Sequence, residues 1–472
     1  MENKSIWSKY LETSDKVLDK NILVDVLIIG GGISGVLTAY NLNNSGLKVA
    51  LVERNEIGSG ITSKMTAKVT FLQDILTKID EKEIDLYLKS QIDGLKILKS
   101  IIEDNNLDCS FKKNTSYLYT IKKSNIKKLD KVKKVLEKNK ISFQEENPPL
   151  SSISVVSSIK IDNSYEINPI LYLNQVKSMC CNVDFYEHTN IVEVLKEDKK
   201  FIVKTENGNT ITSKIVVFAT NYPYFLKPLF FPIKVKLEKS YIGYGKPNFL
   251  TNKDFNCINI DKDVHSIRFY DNKMLYLTGS KINASKVNDA KNFSKLVDNN
   301  LIEEIDYMWS NIDLFPSDYL PIMGRIFDNM YILTGYSAWG ILSSHVGSCL
   351  LASLILKKKK YLKYQELFNP RKKVTMKKFV NSSFNVYENI NGFLKGIFTK
   401  NKLVFYSKDK AIYVSNDGYC YIVKRKCPHL KCNLLFNEVE KTWDCPCHGS
   451  RFDLFGNVIA GPSKYNIKVD VK

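Results

Sequence analysis

The sequence predicts an α/β protein that ends in a small all-β unit, and three observations carry that prediction. The apolar run Leu23 to Ile29 leads into a glycine-rich turn, an amphipathic stretch and a second apolar strand ending at Glu53, which reads as a βαβ unit. The middle of the chain mixes helical periodicity, as over Glu83 to Asp104, with short alternating strands such as FIVKTENGNTI and KMLYLTG. From Lys402 onward every segment reads as strand: KLVFYS, KAIYVS, an Asp417-Gly418 turn, then YCYIVKR.

A chain of 472 residues is too long for one ordinary core and predicts two or three domains. The formal charge of +19 comes from 69 basic against 50 acidic residues, and only six of the basic residues are arginine. Lysines scattered along the whole chain, with no nucleic-acid-binding module, indicate a solvated surface and no nucleic-acid partner. The N-terminal residues show no basic segment followed by an apolar run. The apolar stretch Val346 to Leu356 is too short to span a bilayer. The expectation is a cytoplasmic protein with no membrane span. In a reducing compartment, six dispersed cysteines read as buried thiols, and the four gathered in CPHLKC and CPCHGS as a cofactor site.

Gly30, Gly32 and Gly35 form a G-x-G-x-x-G between the first strand and its helix. The first glycine permits the tight turn, the second lets backbone approach a pyrophosphate, and the third allows close helix–strand packing. Seventeen residues separate Gly35 from Glu53, which ends the second strand, where a carboxylate can bind ribose hydroxyls. The alternative is a merely tight βα turn, but strand, glycines, helix, strand and acid all agree on a dinucleotide. The following segment, Arg54 to Thr70, runs through glycines and the hydroxyls of Thr62 and Thr66, as if along a longer ligand.

Late in the chain come DYLPIMGR (Asp318 to Arg325) and ILTGYSAWGI (Ile332 to Ile341). With VVFATN (Val216 to Asn221) and HTNIVEV, they resemble the FAD-dependent glycine/D-amino-acid oxidase superfamily over roughly residues 20 to 370. The resemblance implies FAD in an extended pose, with Gly324, Gly335, Gly340 and Ile341 in the closing block beside the flavin. Ala219 and Thr220 would lie against the cofactor and Ile191 against the adenine. It also implies a Rossmann-like FAD-binding domain, from segments near 20–80, 156–224 and 311–370. An interleaved antiparallel-sheet substrate domain would come from 81–155 and 225–310. No second G-x-G-x-x-G follows, which argues against an NAD(P)H-dependent reductase. Arg268 and Arg325 are the candidate clamps for a substrate carboxylate, since a guanidinium binds one bidentately. A surface or interface role is the competing reading for each. Tyr241, Tyr244 and Tyr336 are candidate pocket residues, against the alternative of core packing.

Near the C-terminus, fifteen residues separate the pair Cys427 and His429 from the pair Cys445 and His448. Two cysteines and two histidines suit zinc, but zinc fingers usually place both cysteines before both histidines. One Cys and one His from each loop suits a 2Fe–2S centre with thiolates on one iron and imidazoles on the other. With its flanks HGSRFD and GNVIAGPS, the segment resembles a Rieske domain. The resemblance implies Cys427, His429, Cys445 and His448 as ligands and a Cys432–Cys447 disulfide of the cytochrome bc type. It also implies Ser450 as a hydrogen-bond donor to a cluster sulfur. A tyrosine common two residues later is Phe452 here, which implies a potential below that of the cytochrome bc type.

Residues 401–472 then form the Rieske domain, joined to residues 1–370 through a packed helix over 371–400. The pairing implies an FAD-dependent oxidoreductase that oxidises a small organic substrate, an amine or amino acid. Electrons would leave one at a time through the cluster to an external acceptor, a protein carrier or quinone-like molecule. The alternative is a redox-sensing or electron-transfer protein with no small-molecule substrate of its own, and a third reading reverses the flow.

Overall fold

The computed structural model describes residues 4–14, 16–223, 235–249, 255–283, 289–297, 301–372, 404–407 and 409–472. Beyond Lys372, the expected helix over 371–400 lies outside these residues. Ile22–Ile29 is the central strand of the first sheet. It pairs in parallel with Val49–Val52 on one side and Thr210–Phe218 on the other. Val183–Tyr186 and Met330–Thr334 extend the parallel run outward, and Ile322–Phe327 closes one edge antiparallel. Strands covered on both faces need continuous apolar sequence, and VALV is wholly buried.

The helix Ile33–Leu42 returns over this sheet and packs against a second helix, Gly340–Ile355, which is buried along most of its length. That second helix also packs on Glu81–Asp104, whose start is fixed by Asp80 accepting the Lys82 amide at 3.0 Å and by Glu81 and Glu83 in the first turn. Contact between the two helices needs a residue without a Cβ at Gly94. A Cβ there would meet the Leu342 carbonyl oxygen at 2.5 Å.

A second sheet of eight strands covers the cavity side of the first domain. Its order is Ile302–Pro316, Val235–Pro247, Lys273–Asn283, His265–Tyr270, Phe255–Asn259, Lys112–Thr120, Ser157–Glu166 and Lys68–Val69. All neighbours are antiparallel except Phe255–Asn259 with Lys112–Thr120. Pairing therefore assigns Ser157–Glu166 and the whole of Ile302–Pro316 to the covering sheet, although the sequence divides the domains near 156 and 311. The hydrogen-bond ladder decides this, because residues past a nominal boundary stay on the strand that satisfies their backbone.

The C-terminal unit is all-β, as expected, with two four-stranded sheets over one apolar cluster around Trp443 and Phe452. Of the six dispersed cysteines, Cys109, Cys180, Cys257 and Cys349 are buried, Cys420 is half-buried and Cys181 is exposed. Gly94→Val is expected to destabilise the protein by about 1–3 kcal/mol, because the overpacked helix pair must separate. A lowered urea midpoint with unchanged slope would show it.

Candidate functional site

One cavity runs between the two sheets, and the glycine-rich turn forms its floor. Gly30 takes φ +113°, and an added Cβ would meet the Ala219 carbonyl oxygen at 2.8 Å, so this turn accepts only glycine. Gly32 lines the cavity just before the helix, whose first amides give the positive end of its dipole. Gly35 does not line the cavity but sits behind it, where a Cβ would fall 1.9 Å from the Gly30 carbonyl oxygen. Glu53 accepts the Gly31 amide at 2.7 Å and the Asn55 amide at 3.0 Å, which fixes its carboxylate at the cavity edge. Thr62 accepts the Ile33 amide at 3.0 Å.

Arg54, Thr66, Ile191, Ala219 and Thr220 line the same space, as do Gly340 and Ile341 at the N-terminus of the buried helix. The Nε and Nη1 atoms of Arg54 are buried without a hydrogen-bond partner among the described residues. An unsatisfied guanidinium beside a helix N-terminus fits an anionic, multiply hydrogen-bonding ligand such as a dinucleotide pyrophosphate.

Gly324 and Gly335 do not line the cavity. Gly324 faces Pro370, and Gly335, at φ +70°, lies against Pro316 and sets the turn that follows. In that turn Ser337 (φ 51°) and Ala338 (φ 70°) are held in the left-handed region. Each such residue costs about 1–3 kcal/mol and persists only where its surroundings enforce it. Here the enforcement is visible: the Ser337 amide reaches the Leu314 carbonyl at 3.1 Å, and Trp339 Nε1 reaches Asp74 at 3.0 Å. Tyr336 lines the cavity, with its hydroxyl 2.7 Å from Ser34 Oγ and its pKa pushed up to about 12 by burial.

The structure places the other tyrosines and both arginines outside the cavity lining. Tyr241 packs against Phe293 in an apolar cluster away from the cavity, and Tyr244 donates to the Tyr270 carbonyl. Arg268 is 0 % exposed, does not line the cavity, and directs Nη1 to the carbonyls of Thr66 and Ala67 at 2.6 and 2.9 Å. It holds the loop that forms the cavity wall, with Glu166 as its counter-ion at 3.6 Å. Arg325 has a side chain 58 % exposed beside Asp328. Sequence alone could not separate these roles, because a conspicuous arginine looks the same on a strand's inner and outer faces.

Besides Arg54 and Arg451, the cations lining the cavity are lysines. Burial pushes Lys64 down to about 8, with Arg451 adding to the effect, and burial likewise pushes Lys68 down to about 8. Burial and the neighbouring Glu238 raise Asp313, also on the wall, to about 7. Ser240 Oγ and Asn311 Oδ1, opposite each other on adjacent strands, are buried there without partners among the described residues. The sequence signal for the lysines is their place in TSKMTAKVT, a stretch with no acidic residue.

In the C-terminal unit the two Cys/His loops close on each other. Cys427 N bonds to Cys432 O at 2.8 Å, and Cys445 N to Ser450 O at 2.7 Å. Cys432 and Cys447 are joined in the expected disulfide, with Cα atoms 6.5 Å apart. Disulfide sulfurs cannot ligate, which leaves Cys427 and Cys445 as the thiol pair. A hydrogen bond from Cys445 lowers Cys427 to about 7, against the effect of burial, and the Ser450 hydroxyl lowers it further. Ser450 is fully buried and its Oγ accepts the Ser463 amide at 3.0 Å. The rings of His429 and His448 stand 5.0 Å apart, and His448 Nδ1 is buried without a partner among the described residues. A pair of thiols and a pair of imidazoles, one with a stranded ring nitrogen, fit the divided ligand set of a Rieske centre.

Fold and site thus define a flavoprotein oxidoreductase joined to an iron–sulfur domain. The family described as FAD dependent oxidoreductase (DAO) matches residues 25–354, and the chain belongs to it. The Rieske [2Fe-2S] domain matches residues 396–469. The cofactors are accordingly FAD and a Rieske-type 2Fe–2S cluster. The chain is 27% identical to the putative Rieske 2Fe-2S iron-sulfur protein YhfW of Bacillus subtilis, over 94% of this chain and 93% of that one. It is 23% identical to gamma-glutamylputrescine oxidoreductase of Escherichia coli, over 72% of this chain and 85% of that one. L-proline dehydrogenase from P. horikoshii shares the fold at TM-score 0.61 and 19% identity, covering 74% of this chain and 97% of that one. Among the described residues, no helix is long and apolar enough to cross a membrane.

Cys445→Ser is expected to remove the cluster's EPR signal while leaving flavin absorbance in place. Gly30→Val is expected to do the reverse, and purified protein read by both spectroscopies checks the pair.

Proposed function

We propose that the protein oxidises a small amine or amino acid bearing an acidic group and passes the electrons through its cluster to an external acceptor. The single observation that carries this reading is the composition of one cavity wall. The dinucleotide turn, the covering sheet and residues Gly449 and Arg451 of the iron–sulfur unit all border the same space. Bound FAD supplies a two-electron acceptor, and the cluster a one-electron carrier.

The chain's own groups support an anionic substrate. Lys64 shares its surroundings with Lys239, Arg451, Glu440 and Asp444, three cations against two acids. A buried excess of positive charge is costly until an anion joins it. Ser240 and Asn311 offer unsatisfied polar atoms to orient the rest of the molecule. Asp313, raised to about 7, stands in the cavity as an acceptor for the proton of a substrate ammonium. The relative from Escherichia coli acts, by its name, on gamma-glutamylputrescine. For the outward step, Leu430, next to His429, is 60% exposed, so the first cluster loop reaches the surface where an acceptor can meet it.

Anaerobic titration with a panel of amines and amino acids, following flavin bleaching and the cluster EPR signal together, tests the reading. A substrate should bleach the flavin and then develop the signal. If only a reduced carrier protein does so, the protein is an electron-transfer module without a substrate of its own.

The pH dependence follows from the two kinds of group. Asp313 ionises as pH rises through about 7, and Lys64 and Lys68 lose their charge through about 8. The profile of kcat/KM is therefore expected to be a narrow bell between these values. Asp313→Asn should remove its acid limb, and Lys64→Met combined with Lys68→Met its alkaline limb.

A further inference from the structure

We infer that the iron–sulfur unit is a stationary wall of the flavin cavity, locked in place by a buried ion network, so that electrons cross between the two centres without the unit swinging away. The inference rests on the functional reading above for the presence of both redox groups, and it specifies how they are coupled.

The lock is built on Glu440. One carboxylate oxygen meets Lys239 Nζ at 2.8 Å and Arg451 Nη2 at 2.6 Å. The other accepts the Ser310 hydroxyl at 2.6 Å. Arg451 extends the network through Nη1 to Ser310 Oγ at 3.2 Å and through Nε to Asp444 at 3.1 Å. Lys239 and Ser310 belong to the covering sheet, while Glu440, Asp444 and Arg451 belong to the iron–sulfur unit. The side chains of Lys239, Glu440 and Arg451 are no more than 3% exposed. A second tether lies at the other domain, where Asn190 Nδ2 donates to the Lys464 carbonyl at 2.9 Å and Lys464 Nζ to the Val192 carbonyl at 3.2 Å. The residue between them, Ile191, lines the cavity.

Contacts between domains of one chain are usually polar, modest and loose enough for relative motion. This one differs, because its charges are dry. Burial alone would raise the Glu440 carboxyl, yet Arg451 and Lys239 hold it well below the usual carboxylate range. Pulling the unit away would separate partners that cannot be left alone inside the protein. A surface pair would loosen with salt, whereas a buried network is barely screened.

The lock is also continuous with the cluster site. Cys445, His448, Gly449 and Arg451 lie within seven residues, so one short loop carries two ligands, borders the cavity and ends in the network.

The test uses the holoenzyme and light. Flash photoreduction of the flavin, with no substrate present, is followed by the appearance of the reduced cluster. In the native protein the internal rate should be unchanged by protein concentration, by added sucrose and by half-molar salt. Removing one charge with Glu440→Gln should shift the docked-to-open ratio by about a hundredfold. The variant should then show slower, viscosity-dependent transfer, a larger radius in small-angle scattering, and faster amide exchange over 437–444. Visible circular dichroism confirms that the cluster is retained. If Glu440→Gln loses it, Lys239→Met, which lies outside the iron–sulfur unit, takes its place. Native transfer that slows in proportion to viscosity overturns the inference. So does the absence of any transfer, or a variant whose scattering and exchange match the native protein. Because light replaces the substrate, failure to find a substrate leaves this result standing.

Discussion

Gly35 lies so close to the carbonyl of Gly30 that a Cβ would fall 1.9 Å from its oxygen, and the dinucleotide end of the molecule depends on that approach. With backbone against backbone, the helix Ile33–Leu42 starts immediately beyond the central strand, and its free amides face the cavity. Gly30 repeats the constraint on the other side, against Ala219. Two segments distant in sequence thus meet with no side chains between them. Ser34, in the helix's first turn, then ties in a third through hydroxyls at 2.7 Å from Tyr336 and 2.8 Å from Ser344. The turn from Gly335 to Trp339 is tied to this floor through Tyr336, while the Leu314 carbonyl and Asp74 hold its left-handed residues.

The covering sheet supplies what the glycine turn cannot, which is polar chemistry in a place without bulk water. Lys64 and Lys68, which line the cavity, have pKa values lowered by burial, which shows that their charge is tolerated at a cost. Such arrangements are found where a ligand completes the electrostatics, since well-packed apolar residues would otherwise be at least as stable. Arg268 belongs to the same design from behind, spending its guanidinium on two carbonyls of the Thr66–Ala67 loop, where Ala67 itself has φ 54°. It shapes the wall and leaves the interior to the lysines.

How much of this was legible in sequence follows from the range of the forces involved. The glycine turn, Glu53, and the Cys/His loops were legible because local geometry dictates both residue type and spacing. Gly30 and Gly32 are required by their own backbone, and Cys427 and His429 by proximity to one ligand. Gly324 and Gly335 were expected beside the flavin, whereas each packs against a proline, Pro370 or Pro316, and neither lines the cavity. The two readings of each arginine could not be separated, because burial and direction depend on the tertiary fold: Glu166, the counter-ion of Arg268, lies about a hundred residues away in sequence. The ion network was invisible for the same reason. Lys239 and Glu440 are ordinary surface residues by type, and only the tertiary fold brings them to 2.8 Å.

The cluster site is asymmetric in a way that matters for an electron carrier. The loop carrying His448 is fixed several times over: by the Cys445–Ser450 and Gly449–Cys445 backbone bonds, by the disulfide through Cys447, and by Arg451 in the ion network. The loop carrying His429 is closed by the Cys427–Cys432 and Lys431–Cys427 backbone bonds and shares the disulfide through Cys432. Its Leu430, however, is turned to solvent, and among the described residues the loop has no arm in the ion network. Fixing the ligands limits how far they must move when charge arrives. Placing one loop against the cavity and the other at the surface gives the centre an inner and an outer side. A carrier placed between an enclosed two-electron site and an external partner needs that difference, because the inner face must exclude water and the outer face must admit a second molecule.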